Sequence, residues 1–242
     1  MKSLKILSVV TSLFVAGSVF SQTNADNSLS QKEQKEGWKL VFDGKSTAGW
    51  RGYNKTAFPE KGWDVMEGTL HAQNNGGGGD IILEKKYNNF EFAIDWKISE
   101  GGNSGIFIFG RELEGKPIYH SAPEIQVLDN DRHSDAKAGK DGNHKAGSLY
   151  DLMPAIPQNT KPAGEWNSVK IVSKNGNIEI WQNAVKVVKF TMGNDEWKKM
   201  VANSKFKDWP EFMNNNAKDG FIGLQDHGNE VWFKNIKIKE LK

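Results

Sequence analysis

From Phe90 to Ile98 every second residue is apolar (Phe90, Phe92, Ile94, Trp96, Ile98), with Glu91, Asp95 and Lys97 between them. A period of two is the side-chain period of a strand with one face buried and the other wet, and no helix can bury such a set on one side. Similar short runs punctuated by Gly, Asn and Asp recur from Trp38 onward, which is the pattern of an all-β sandwich or barrel. Ile106 to Phe109 is apolar at every position, as a strand covered on both faces requires. Strands are also expected over Glu124–Leu128, Ser168–Val172, Ile178–Gln182 and Val185–Phe190, with a tight hairpin at Gln182-Asn183-Ala184. Phe221 to His227 and Val231 to Ile238 read as a closing hairpin about Gly228-Asn229. One segment departs from period two: Asn194 can cap a helix opening at Asp195, with Trp197, Met200 and Val201 at helical spacing and a stop at Asp208-Trp209-Pro210. This single helix is expected to brace the surface of the sandwich. Gly76–Gly79 lacks the strand-helix context and the Lys-Ser/Thr of a phosphate loop, so it reads as a flexible connection.

The N-terminus obeys different chemistry. Lys2 and Lys5 precede an apolar run from Ile6 to Phe20, closed by Val19-Phe20-Ser21. That is the pattern of a secretory signal peptide cleaved after Ser21. The run is shorter than the roughly 20 residues of a bilayer span, and no second one follows, so no membrane span is expected in the mature chain. The expected destination is the periplasm or the exterior of a bacterium. Residues 22 to 36 are polar and read as a disordered lead-in, leaving 37 to 242 as one domain without internal repeats. The formal charge of +2 comes from 32 basic and 30 acidic residues. Lys2 and Lys5 account for the excess, so the mature chain has 30 of each. Such balance leaves no electrostatic footprint for nucleic acid. The absence of cysteine excludes thiol catalysis, disulfides and lipoprotein anchoring. All nine tryptophans lie after Ser21, available for packing or for flat ligands such as sugars.

Candidate chemistry gathers on a few strands. In Glu124-Ile125-Gln126-Val127-Leu128-Asp129, Glu124 and Gln126 share one face while Ile125 and Val127 enter the core. A bulge near Val127-Leu128 would return Asp129 to the polar face. Gln225 and His227 share a face near the end of their strand, and Asn103 and Ser104 occupy a glycine-flanked turn before an apolar strand. His120 stands just ahead of Glu124. The long loop from Asp129 to Leu149 carries Asp129, Asp131, His133, Asp135, Asp141, Asn143 and His144, but matches no established ligand spacing. A divalent ion held by one or two of these with His133 is the only metal reading it allows, and the identity of any ligand set stays open.

Several segments together carry a resemblance. They are Leu40-Val41-Phe42-Asp43-Gly44-Lys45 with Gly49-Trp50, Trp63-Asp64-Val65 with Gly68-Thr69-Leu70, Gly102-Asn103-Ser104-Gly105-Ile106, Glu124 to Asp129, and Ala146-Gly147-Ser148-Leu149-Tyr150. Gly164-Glu165-Trp166-Asn167, Ser204-Lys205-Phe206-Lys207-Asp208-Trp209, Gly223 to Gly228 and Phe233-Lys234-Asn235-Ile236 complete the set. In this order the chain resembles the 3-keto-disaccharide hydrolase family, long called a domain of unknown function and common in secreted bacterial proteins. It departs from the family pattern at Ala184, where Gly is usual, and at Lys234, where Arg is common. The resemblance implies a concanavalin-like jelly-roll sandwich of two antiparallel sheets and action on glycosides already oxidised at C3. A C3 ketone acidifies the C2 hydrogen, so the site needs a base, an oxyanion stabiliser and an acid for the leaving group. Glu124 is the expected base, directly or through a histidine; His227 or a bound metal would polarise the ketone; Tyr150 or His133 would assist departure. Asn103, Ser104, His120, Gln126, Gln225 and Asp129 are expected to hold the oxidised sugar. Two rivals remain: a laminarinase-like glycosidase, whose Glu-Ile-Asp-x-x-Glu strand Glu124 to Asp129 nearly reproduces, and a non-catalytic sugar-binding module.

Overall fold

The computed structural model describes residues 25–242, so the signal-peptide expectation for residues 1–21 lies outside the described residues. Thirteen strands follow in order: β1 (Lys39–Leu40), β2 (Trp50–Gly52), β3 (Trp63–Met66), β4 (Thr69–Ala72), β5 (Ile81–Leu83), β6 (Phe90–Ile98) and β7 (Asn103–Gly110), then β8 (Glu124–Leu128), β9 (Asn167–Lys174), β10 (Asn177–Gln182), β11 (Val185–Thr191), β12 (Phe221–Leu224) and β13 (Val231–Glu240). They form two antiparallel sheets, the jelly-roll sandwich expected. The larger runs β11-β10-β9-β6-β13-β4-β3, with β1 also on β13, and the smaller runs β2-β5-β12-β7-β8.

The period-two run lies at the centre of the larger sheet. Phe90, Phe92, Ile94, Trp96 and Ile98 of β6 are each at most 1% exposed and meet Ile106, Ile108, Ile125 and Val127 of the smaller sheet across the core. The smaller sheet is also covered outside: Ile82, Phe107 and Phe221 form a second apolar cluster under Ile118 and Ala122. That outer layer is why Ile106–Phe109 needs no polar positions.

Five expectations need correction. Residues 22–36 were expected to be disordered, yet within their described part Ser30 and Glu33 form a capping box that opens helix α1 (Gln31–Lys35). Glu33 pairs with Lys237, and Asn27 exchanges hydrogen bonds with Asn235; these long-range partners order a polar segment that has no apolar pattern of its own. The closing hairpin is absent, because β12 ends at Leu224 in the smaller sheet and β13 belongs to the larger one, so Gln225–Glu230 crosses between sheets. Asp208-Trp209-Pro210 does not end helical structure either. Helix α2 (Asp195–Ala202), capped by Asn194 as expected, stops earlier, and Pro210 opens a short helix α3 (Pro210–Met213). Far from a surface brace alone, α2 buries Trp197 between Phe190 and Phe212. Finally, Gly76 and Gly78 are tightly packed: a Cβ at Gly78 would lie 2.7 Å from Trp63 Cδ1.

Candidate active site

The site is built on the outer face of the smaller sheet. Strands β7 and β8 pair with Phe107 opposite Glu124, Gly105 opposite Gln126 and Asn103 opposite Leu128. Because Ile125 and Val127 turn into the core, Glu124 and Gln126 must project outward beside Asn103. Just past β12, the Gln225 N–H donates to Gly105 O at 3.0 Å, which brings Gln225 and then His227 to the same face. The result is a cavity of about 380 Å³. Its polar side is Asn103, Glu124, Gln126, Tyr150, Gln225 and His227; Tyr119, Lys205, Phe206 and Trp209 line the remainder.

Glycine at position 105 makes room for the acid. A Cβ there would lie 2.7 Å from Glu124 Cγ and Cδ, so any side chain would displace the carboxyl group from the cavity. Burial pushes the Glu124 carboxyl up to about 8; Asp80 and Asp135 add to the rise, and Lys205 opposes it. Such a group is a stronger base when ionised and available as an acid when protonated. Burial also raises the Tyr150 phenol, and the Asp135 carboxylate beside its hydroxyl raises it further. Asn103 Nδ2 lies 3.4 Å from His227 Nε2. The Asn103 Oδ1 and Gln225 Oε1 atoms are buried without a hydrogen-bond partner. Unpaired buried acceptors are costly, and here two of them line a cavity where ligand hydroxyls could donate to them.

Six of the ten residues singled out from sequence meet in this way: Glu124, Gln126, Asn103, Gln225, His227 and Tyr150. The other four do not line the cavity. Ser104 lies on the opposite face of β7 and donates its Oγ–H to Gln225 O at 2.8 Å, tying two strand ends together. No bulge forms near Val127-Leu128, so Asp129 stays off the polar face. It accepts instead from the N–H groups of Gly101, Asp131 and Arg132, and these bonds with the Arg132 charge outweigh its burial and lower its pKa. His120 backs the aromatic wall, stacked on Trp209 with ring centroids 4.1 Å apart. His133 packs edge-on against His227 at 6.2 Å, and its Nδ1 accepts the Asp135 N–H. Among the described residues no group of three His, Cys, Asp or Glu side chains is arranged to hold a metal ion.

Sequence reasoning missed the residues delivered by loops. Lys205, Phe206 and Trp209 stand in a segment with no strand period; their signals were aromatic residues interleaved with lysine and the place of Ser204–Trp209 among the segments that carry the family resemblance. Lys205 places its ammonium 3.8 Å from the Tyr150 ring centroid. Its loop is anchored by Asp151, whose Oδ2 accepts the Lys205 N–H at 2.8 Å. Asp151 Oδ1 in turn lies 2.7 Å from His144 Nε2, and Asp135 Oδ1 lies 2.9 Å from His144 Nδ1. One buried histidine thus joins both loops that flank the cavity.

The sandwich seats a buried carboxyl group in a cavity with a polar floor and an aromatic wall, an arrangement suited to a carbohydrate hydrolase. Residues 37–239 match the 3-keto-alpha-glucoside-1,2-lyase-like domain family, and the chain belongs to that family. It is 44% identical to a 3-keto-disaccharide hydrolase of Bacteroides thetaiotaomicron over 89% of this chain and 82% of that one. A Parabacteroides distasonis crystal structure assigned to the glycosyl hydrolases superposes with a TM-score of 0.81 at 34% identity, covering 90% of this chain and all of the other. A second structure from the same organism, similarly assigned, gives 0.66 at 27% identity over 84% and 99%.

Proposed function

We propose that this protein cleaves the glycosidic bond of 3-keto-glycosides by removing the C2 proton, expelling the C1 substituent and adding water to the product. The observation that carries the reading is the Glu124 carboxyl group, buried in a cavity of suitable size for a small sugar beside two amide oxygens that lack partners. A carboxylate withdrawn from water is basic enough to take a proton that a neighbouring ketone has acidified. Asn103 and Gln225 accept sugar hydroxyls, and the aromatic wall covers an apolar face of the ring. The 3-keto-disaccharide hydrolase relative from B. thetaiotaomicron supports the substrate class. Two features speak against conventional retaining hydrolysis: Gln126 stands where that strand has an acid, and Asp129 faces a turn. A sugar-binding module has no use for a carboxyl group held at the cost of burial.

The test is incubation of purified protein with 3-keto-trehalose and with trehalose, each with and without chelator. Cleavage of the oxidised sugar alone is expected. Cleavage of the unoxidised parent alone would overturn the reading, and loss of activity with chelator would add a metal to the mechanism. Export follows from the first 21 residues as part of the same proposal; an intact N-terminus on protein recovered from the producing cell's envelope would refute cleavage after Ser21.

A further inference from the structure

Four residues form a row across the smaller sheet. Ile81 pairs with Leu224 and Ile82 with Gly223, so the same register sets Asp80 opposite Gln225. Gln225 lies against Gly105 through its N–H bond, and Gly105 pairs with Gln126. Asp80 is two residues from Ile82, whose side chain belongs to the outer apolar cluster, and therefore shares the outer face with it. The Glu124 carboxyl group overlies Gly105. Two strand spacings, roughly 10 Å in all, separate that point from Asp80, and Gln225 with its unpartnered Oε1 stands between them.

The packed glycine segment holds Asp80 in this position. Gly79 N–H donates to Asp226 Oδ2 at 2.8 Å, and Trp63 Nε1 donates to Gly79 O at 2.8 Å. Asp226 N–H donates to Asp80 Oδ1 at 3.0 Å, while Asp80 Oδ2 makes no hydrogen bond among the described residues.

We propose that Asp80, one strand beyond Gln225 and outside the residues that line the cavity itself, is a second carboxyl group of the substrate site and is the acid that protonates the departing glycosidic oxygen. This rests on the elimination reading above, which leaves that role without a suited occupant: the raised pKa of the Tyr150 phenol makes it a poor proton donor, and His133 does not line the cavity. The groups facing Asp80 are Asp226 after β12, Glu124 on β8 and Tyr53 after β2. Burial and the Asp226 charge push its carboxyl up to about 7, so a protonated fraction persists near neutrality. In the elimination Glu124 takes the C2 proton and that electron pair becomes the C1–C2 double bond. The C1–O bond breaks with its pair on oxygen, and Asp80 gives that oxygen a proton. In the hydration the Asp80 carboxylate takes a proton from the water attacking C1, and Glu124 returns one to C2. Both groups end as they began.

Asp80→Asn keeps an oxygen for the Asp226 N–H, and its fold is checked by thermal unfolding. Two substrates separate the outcomes: 3-keto-trehalose, whose leaving group needs a proton, and 4-nitrophenyl 3-keto-glucoside, whose leaving group does not. The variant should lose about 100-fold or more in kcat/KM on the first and stay within about threefold on the second. Equal losses on both, or no loss on either, overturn the assignment. The wild-type enzyme supplies a second measure independent of folding. Its kcat/KM on 3-keto-trehalose should rise as Glu124 ionises, level off between about 7 and about 8, and fall above about 8 as the protonated fraction of Asp80 is exhausted, while the nitrophenyl substrate shows no falling limb; a falling limb on both sinks the proposal. Wild-type inertness towards both oxidised substrates would instead remove the elimination reading, and this acid with it.

Discussion

Glu124 gathers most of the site's consequences into one side chain. Its position on the outer face follows from strand parity, because Ile125 and Val127 on either side of Gln126 cannot leave the core. Its chemistry follows from Gly105, whose missing side chain lets the carboxyl group lie flat on the sheet away from water. A carboxyl group raised to about 8 favours its protonated form in the folded state. Its contribution to stability is therefore fully present below the unfolded pKa near 4.5 and is lost as pH rises through about 8. Glu124→Gln removes that dependence. The variant should unfold at a higher temperature than wild type at pH 9, the difference should shrink towards pH 4, and cleavage of 3-keto-trehalose should fall by about 100-fold or more. An active variant, or one whose melting point tracks wild type at every pH, removes the buried-base assignment. Strand parity could not show Asp80 in the same light, because the glycines before it read as a flexible connection and their packing against Gly62 and Trp63 is a tertiary fact.

Among the elements, the β10–β11 hairpin shows how sequence and backbone can disagree and still fold. Asn183 and Ala184 both adopt positive φ, +48° and +65°, as a two-residue turn matched to the strand twist requires. Asparagine tolerates that region, whereas alanine pays a steric penalty of about 1 kcal/mol there. Ala184→Gly should therefore raise the unfolding free energy by about 1 kcal/mol, measured by denaturant titration; a loss of stability would show that the turn is not strained. Local signals fixed this hairpin because both strands and the turn lie within 20 residues. Where the partner of a strand is distant, the same signals misled: Phe221–His227 and Val231–Ile238 look like a hairpin in sequence, but β12 and β13 find their neighbours in different sheets.

At the scale of the whole molecule, the cavity exists because loops meet over one face of a sheet, with Tyr119 supplied by the connection between β7 and β8. Tyr150 comes from the connection after β8, and Lys205, Phe206 and Trp209 come from the stretch between α2 and α3. Asp151 joins them through the Lys205 N–H and His144. Removing a charged acceptor of this kind costs about 1.5–3 kcal/mol. Asp151→Ala should lower the melting temperature and raise KM several-fold as the aromatic wall loosens, while the secondary structure seen by circular dichroism is unchanged. An unchanged KM beside a lowered melting temperature would mean that the anchor serves stability alone. His120 belongs to the same wall, stacked on Trp209 rather than lining the cavity, a place that its nearness in sequence to Glu124 did not reveal.

Alternation of side chains along a strand is a local property that dictates which residues share a face, so the all-β class, most of the strand positions, the sandwich core and the polar floor of Glu124, Gln126, Asn103 and Gln225 are legible in the sequence. Which strands became neighbours, and that Asp129 and Ser104 serve turns and strand ends, was settled by the assembled fold. It alone brought Lys205 and Trp209 to the cavity and aligned Asp80 in register with Gln225. Those outcomes depend on hydrogen bonds and contacts between residues tens to hundreds of positions apart, whose closure is set by packing of the whole chain and leaves no periodic trace in any one segment.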